Sequence, residues 1–109
     1  MPEVCSNVTF ENVAREIRAK WSGDSDKASL VAAQNVLNQH LAELKALGTV
    51  QRVVCGGCLD FKIIVKLPAT KFGDWESASF APEAAILEKL KAIPNISSVE
   101  TQTYTLETL

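Results

Sequence analysis

Two cysteines separated by two glycines, Cys55-Gly56-Gly57-Cys58, are the residues whose type and spacing most directly suggest chemistry. Such a pair can exchange thiol for disulfide, one thiolate attacking and the other resolving. It can also supply half of a zinc site. A redox pair normally sits at a helix N-terminus, which lowers the thiol pKa, whereas Gly56-Gly57 predicts a two-residue hairpin turn built on positive φ angles. Zinc needs two further ligands. The one histidine, His40, falls within a helical stretch, and the third cysteine, Cys5, is distant in sequence. The spacing is read first as a pair of structural turn cysteines, with a redox role for Cys55 and Cys58 as the alternative. No metal and no cofactor is expected.

The remaining candidates are polar residues on strand-like segments. Asp60, Lys62, Glu100 and Tyr104 fall at positions that an exposed sheet face could bring together. Asp60 and Lys62 would orient a polar ligand, and Tyr104 would add area and a hydroxyl. His40 is the one side chain that titrates near neutrality without perturbation; it borders an apolar helix stripe and is expected partly exposed. Phe72 and Trp75 are read as anchors packed on the core. No nucleophile elbow, phosphate-binding glycine loop or metal-ligand helix motif occurs, so no catalytic residue is assigned.

These side chains need elements to hold them. Leu30, Ala33, Leu37, Leu41 and Leu44 recur at helical spacing and predict a helix from about Lys27 to Leu47. Asp24, Ser25 or Asp26 would cap it and Gly48 would stop it. Val50–Cys55 and Cys58–Leu67 form the arms of the hairpin. In the second arm Leu59, Phe61, Ile63, Val65 and Leu67 alternate with Asp60, Lys62, Ile64 and Lys66, so one face is apolar and the other mixed. Ala69–Ser79 reads as a loop. A second helix is expected from Pro82 to Ile93, closed by Pro94, and a Thr-rich strand from Ser97 to Leu106. Val13–Ser22 fits both periods: Val13, Ile17 and Trp21 suit a helix, while Ile17, Ala19 and Trp21 alternating with Glu16, Arg18 and Lys20 suit a strand. Consistency with the rest of the chain favours the strand.

The chain has 109 residues, 47% of them hydrophobic, and a net charge of −2. That suits one domain over residues 1–109 with a sizeable core. Without a basic excess, nucleic acid is not an expected partner, and no apolar run reaches the length of a membrane span. No secretory leader is legible, and the odd cysteine count argues against a secreted disulfide framework. A cytoplasmic, reducing location follows, with an organelle reached through a cleaved transit peptide as the open alternative.

With the strand reading the order is β-α-β-β-α-β. The expected fold class is thus α+β, a ferredoxin-like βαββαβ sandwich. Its four-stranded antiparallel sheet, in the order 4-1-3-2, would carry both helices on one face. The other face would present Glu16, Arg18, Lys20, Asp60, Lys62, Ile64, Lys66, Glu100, Gln102 and Tyr104. Alternating charges there suit a second copy across a two-fold axis, so a homodimer is expected. Pairing across the turn puts Arg52 on the helix side.

The run Gly48–Leu67, with Val50, Val53, Val54, Gly57, Asp60, Phe61 and Ile63, resembles the second half of the effector-binding domain of the leucine-responsive regulatory family. Gly57-Cys58-Leu59-Asp60 stands where that family has a Gly-x-Tyr-Asp turn, with Leu59 in place of the usual Tyr. The run Leu90, Ile93, Pro94, Asn95, Ile96, Val99, Glu100, Thr101 and Thr103 is similar to its closing helix, turn and strand. The resemblance implies the dimeric α/β-barrel superfamily, pairing through sheets, and a small-ligand site near Gly57 and Asp60. The family's helix-turn-helix DNA reader is missing. The expected function is a small homodimeric ligand-binding or interaction domain using Asp60, Lys62, Tyr104 and Gly57. The alternatives are an enzyme of the dimeric barrel kind working in the inter-sheet cavity, and a CxxC thiol-redox protein.

Overall fold

The computed structural model of the chain describes residues 2–109. In chain order the elements are β1 (Glu3–Cys5), β2 (Val8–Thr9), β3 (Asn12–Lys20), α1 (Asp24–Leu47), β4 (Thr49–Val54), β5 (Asp60–Pro68), α2 (Ala69–Ser77), α3 (Glu83–Lys91) and β6 (Ser97–Leu106). The fold class is α+β. Strands β4-β5-β3-β6 form a four-stranded antiparallel sheet, and β1-β2 form a separate two-stranded one.

The expected ferredoxin-like βαββαβ sandwich with two helices, paired as a dimeric α/β barrel, is therefore corrected. Among the described residues there are three helices and six strands in two sheets. The additional helix is α2, in the segment read as a loop. Gly73 and Asp74 look like turn residues, but Phe72 and Trp75 lie three apart and bury the same helical side, and that burial outweighs the weak propensity of the glycine. The strand order within the larger sheet is the expected one, and Val13–Ser22 supplies its central strand β3.

The register fixes the two faces of the sheet. Val13, Arg15, Ile17 and Ala19 of β3 stand opposite Leu67, Val65, Ile63 and Phe61 of β5. Except for Arg15 these residues are buried, and they pack with Ala33, Val36, Leu37 and Leu44 of α1, Phe72 and Trp75 of α2, and Ile86 and Leu90 of α3. All three helices thus cover one face. The three aromatic rings of Phe72, Trp75 and Phe80 interlock, the last two edge to face at 5.2 Å between centroids. Phe72 and Trp75 are core anchors.

Arg15 is the charged group of β3 that turns to the covered face. Its Nε donates to Glu83 Oε1 at 2.8 Å, its Nη groups reach the Thr101 and Thr103 hydroxyls, and its guanidinium lies 4.2 Å from the Phe80 ring centroid. A charge this far withdrawn from water needs such a set of partners. His40 is buried, not partly exposed as expected. Its Nδ1 lies 3.1 Å from Glu43 Oε1 and its Nε2 3.0 Å from Lys89 Nζ, which joins α1 to α3.

Two local expectations about the ends of α1 divide. None of Asp24, Ser25 and Asp26 caps the helix; Ser25, Asp26 and Lys27 take left-handed φ angles of 54°, 57° and 63° before the regular turns begin. The entry is held instead by Ser29, whose buried hydroxyl accepts from Ser22 N–H and donates to Ser22 C=O. At the other end Gly48 does close the helix, donating its N–H to Leu44 C=O at 3.2 Å. A Cβ at Gly48 would lie 2.3 Å from the Lys66 carbonyl oxygen, so the chain can leave α1 along this path only with glycine.

Candidate functional site

The uncovered face of the large sheet carries the polar residues that the sequence assigned to it. Cross-strand partners place Lys20 with Asp60, Arg18 with Lys62 and with Glu100, Glu16 with Ile64 and with Gln102, and Ala14 with Lys66 and with Tyr104. Alternation along β5, dictated by Phe61, Ile63, Val65 and Leu67 turning inward, forces Asp60, Lys62, Ile64 and Lys66 outward.

At the hairpin end two ion pairs stand side by side. Lys20 Nζ lies 2.6 Å from Asp60 Oδ1 and donates to Cys58 C=O at 2.8 Å, while Arg18 Nη2 lies 2.7 Å from Glu100 Oε2. The hydrogen bond from Lys20 holds the Asp60 carboxyl below its usual range, against a smaller opposing cost of burial, and the charges of Lys62 and Arg18 add to the lowering. Arg18, Ala19, Lys20, Asp60, Ser98 and Glu100 line a concavity of about 300 Å³. It opens where the pairing of β3 with β6 becomes irregular between Arg18 and Lys20.

Further along the same face, Glu16 is buried on the central strand, only 3% exposed. Its Oε1 accepts from the Tyr104 hydroxyl at 3.2 Å; its Oε2 is buried with no hydrogen-bond partner. Burial, and after it the nearby charge and hydrogen bond of Glu16, raise the Tyr104 pKa. Glu16 was legible in the sequence as an outward residue but not as a buried one. The available signal was its place mid-way along a strand flanked on both sides, where Ile64 and Gln102 crowd it.

The four residues expected to share a ligand do not converge. Asp60 and Lys62 are neighbours on β5. Tyr104 pairs with Ala14, six positions along β3 from the Lys20 that pairs with Asp60, which is about 20 Å at the rise of a strand. Gly57 lies beyond the sheet at the hairpin tip, with open space where a Cβ would be.

The hairpin tip itself differs from the expected Gly-Gly turn. No glycine has a positive φ; Leu59 takes one, 61°. Val54 pairs with Phe61, and Cys55 N–H donates to Asp60 C=O at 3.0 Å, so the loop spans Cys55 to Leu59. Leu59 is thereby excluded from the apolar face and is 36% exposed. Arg52 stays on the helix side, where its Nη1 donates to Gln34 Oε1 of α1 at 2.8 Å. Cys55 and Cys58 are joined as a disulfide, and Cys58 Sγ lies 3.4 Å from Asp60 Oδ2. Cys5 is free and exposed.

Comparison with family models, with curated proteins and with solved structures gives no match. Among the described residues no cluster of three or more His, Cys, Asp or Glu side chains could hold a metal ion, and no helix is long and apolar enough to cross a membrane.

Proposed function

We propose that this chain is a binding domain that takes a small polar ligand on its uncovered sheet face and works as a homodimer through that face. The observation that carries the reading is the concavity at the hairpin end, lined by two cations and two carboxylates. Arg18 and Lys20 offer donors to an anionic group, and Asp60 and Glu100 accept from a cationic one, so the fitting ligand class is a small zwitterion. Lys62, beside the pocket on β5, has no ion-pair partner among the described residues and supplies a further donor. The alternating charges along this face, with Lys62 unpaired among the described residues, support pairing with a second copy across a two-fold axis. The resemblance drawn from Gly48–Leu67 belongs with this reading, as does a cytoplasmic location.

Titration of the isotopically labelled chain with each free amino acid at millimolar concentration tests the ligand class. Shifts centred on Arg18, Lys20, Asp60 and Glu100 are expected for at least one; silence across the set would remove it. A particle of twice 11.8 kDa that Lys62→Glu weakens is the expected mass result, and a monomer at high concentration would refute the dimer.

A second reading, thiol–disulfide exchange, is favoured by the bond between Cys55 and Cys58 at an exposed tip. Against it, the Asp60 carboxylate beside Cys58 Sγ disfavours a thiolate there. Equilibration with glutathione buffers would decide it: a pair that stays in one state throughout has no exchange role.

A further inference from the structure

The two edges of the large sheet are β4 and β6, and β4 is the less defended. It carries Val50, Val53 and Val54, of which Val53 and Val54 are 39% and 42% exposed, and a single charge, Arg52. Native sheets usually blunt an edge with charges, proline or a bulge. β4 pairs with β5 in unbroken register.

Its free hydrogen-bonding groups can be assigned. Cys55 N–H points inward to Asp60 C=O. Alternation in an antiparallel ladder then turns the peptide groups of Val53, Gln51 and Thr49 inward and those of Val54, Arg52 and Val50 outward. The side chains of these outward-pairing residues lie on the helix side, opposite Phe61, Ile63 and Val65. There a groove of about 370 Å³ runs between strand and helix, lined by Leu30, Val31, Gln34, Asn35, Arg52 and Val54. Val31 is 57% exposed on the α1 side of it. An added strand would pair with the backbone of β4 and drop alternate side chains into this groove.

The sequence of β4 selects between occupants. A second copy paired through all three outward residues would set Val50 against Val54 and Arg52 directly against Arg52, and like charges directly opposite are destabilising. A foreign strand with a carboxylate at that position meets the guanidinium favourably. We infer that β4 is a docking edge for an extended peptide with an acidic residue opposite Arg52 and an apolar one opposite Val54, seated beside Leu30 and Val31.

The probe is a capped peptide, acetyl-Ser-Val-Thr-Glu-Thr-Val-Ser-amide, titrated into the labelled full chain. Shifts and slowed amide exchange are expected at Val50, Arg52 and Val54. Arg52→Glu should weaken binding about tenfold, and the same peptide with Lys for Glu should recover it on that variant. Val31→Asp, an exposed change in the groove wall, should also weaken binding without loss of fold. No binding at millimolar peptide would overturn the inference, as would shifts at β6 or the open face. Outward amides of Val50, Arg52 and Val54 already protected in a free chain of doubled mass would overturn it too, by showing the edge occupied by a second copy. The ligand proposal for the open face stands or falls separately, since its shifts centre on other residues.

Discussion

Arg15 and Arg18 sit on the same strand and face opposite sides of the sheet. Each is ion-paired to a glutamate, Arg15 to Glu83 and Arg18 to Glu100. On the covered side the pair is sealed: side-chain exposure is 17% for Arg15 and 9% for Glu83, and Phe80 stacks on the guanidinium. On the open side the corresponding values are 40% and 55%. The same chemistry therefore does different work. The first pair lies against the core, and removing the buried Glu83 would leave Arg15 there without its counter-charge. The second is solvated, and water screens it.

The largest effect expected from this contrast is on the covered face. Phe61→Ala, at 1% exposure, should cost about 3–5 kcal/mol in denaturant unfolding. Next, Glu83→Ala should cost about 3 kcal/mol, because it strands the Arg15 guanidinium beneath α3. Glu100→Ala, the matching change on the open face, should leave the unfolding midpoint within error. A large loss on Glu100→Ala would mean that this face is covered in solution, and would sharpen the dimer proposal.

The smallest effect is a titration. Tyr104 holds its proton more tightly in the folded chain than in the unfolded one. Its contribution to stability is thus complete below the ordinary tyrosine pKa and is lost as pH rises through the raised folded value. Absorbance of the phenolate in a pH series should show one tyrosine ionising late. Glu16→Gln should bring that ionisation earlier by removing the nearby charge, while leaving the part due to burial.

Regular patterns were legible and crowding was not. The leucine stripe of α1, the alternation of β5 and the Thr-rich β6 each declare their period, and the outward set from Glu16 to Tyr104 follows from it. The β1-β2 hairpin has no such signal: its strands are three and two residues long, below the length at which alternation can be read. α2 was hidden by Gly73 and Asp74. The hairpin register was hidden because Gly56-Gly57 advertises a tight turn that Leu59 makes unnecessary. The candidate site was partly legible, in that Asp60 and Lys62 do lie together. The 20 Å or so to Tyr104 depends on register, which composition does not encode. The burial of Glu16 and His40 depends on what packs around them from distant segments.

Gly48 has a consequence for how this chain can be cut and rebuilt. At Gly56 and Gly57 nothing lies within 4 Å of an added side chain, so labels, linkers or grafted peptides can enter the hairpin tip at little cost. At Gly48 the chain passes the Lys66 carbonyl with no room for a methyl group. An insertion or a new terminus there would part the helix from the strand pair it delivers. Permuted or split versions of the protein should therefore be opened at the disulfide tip and left whole where α1 hands over to β4.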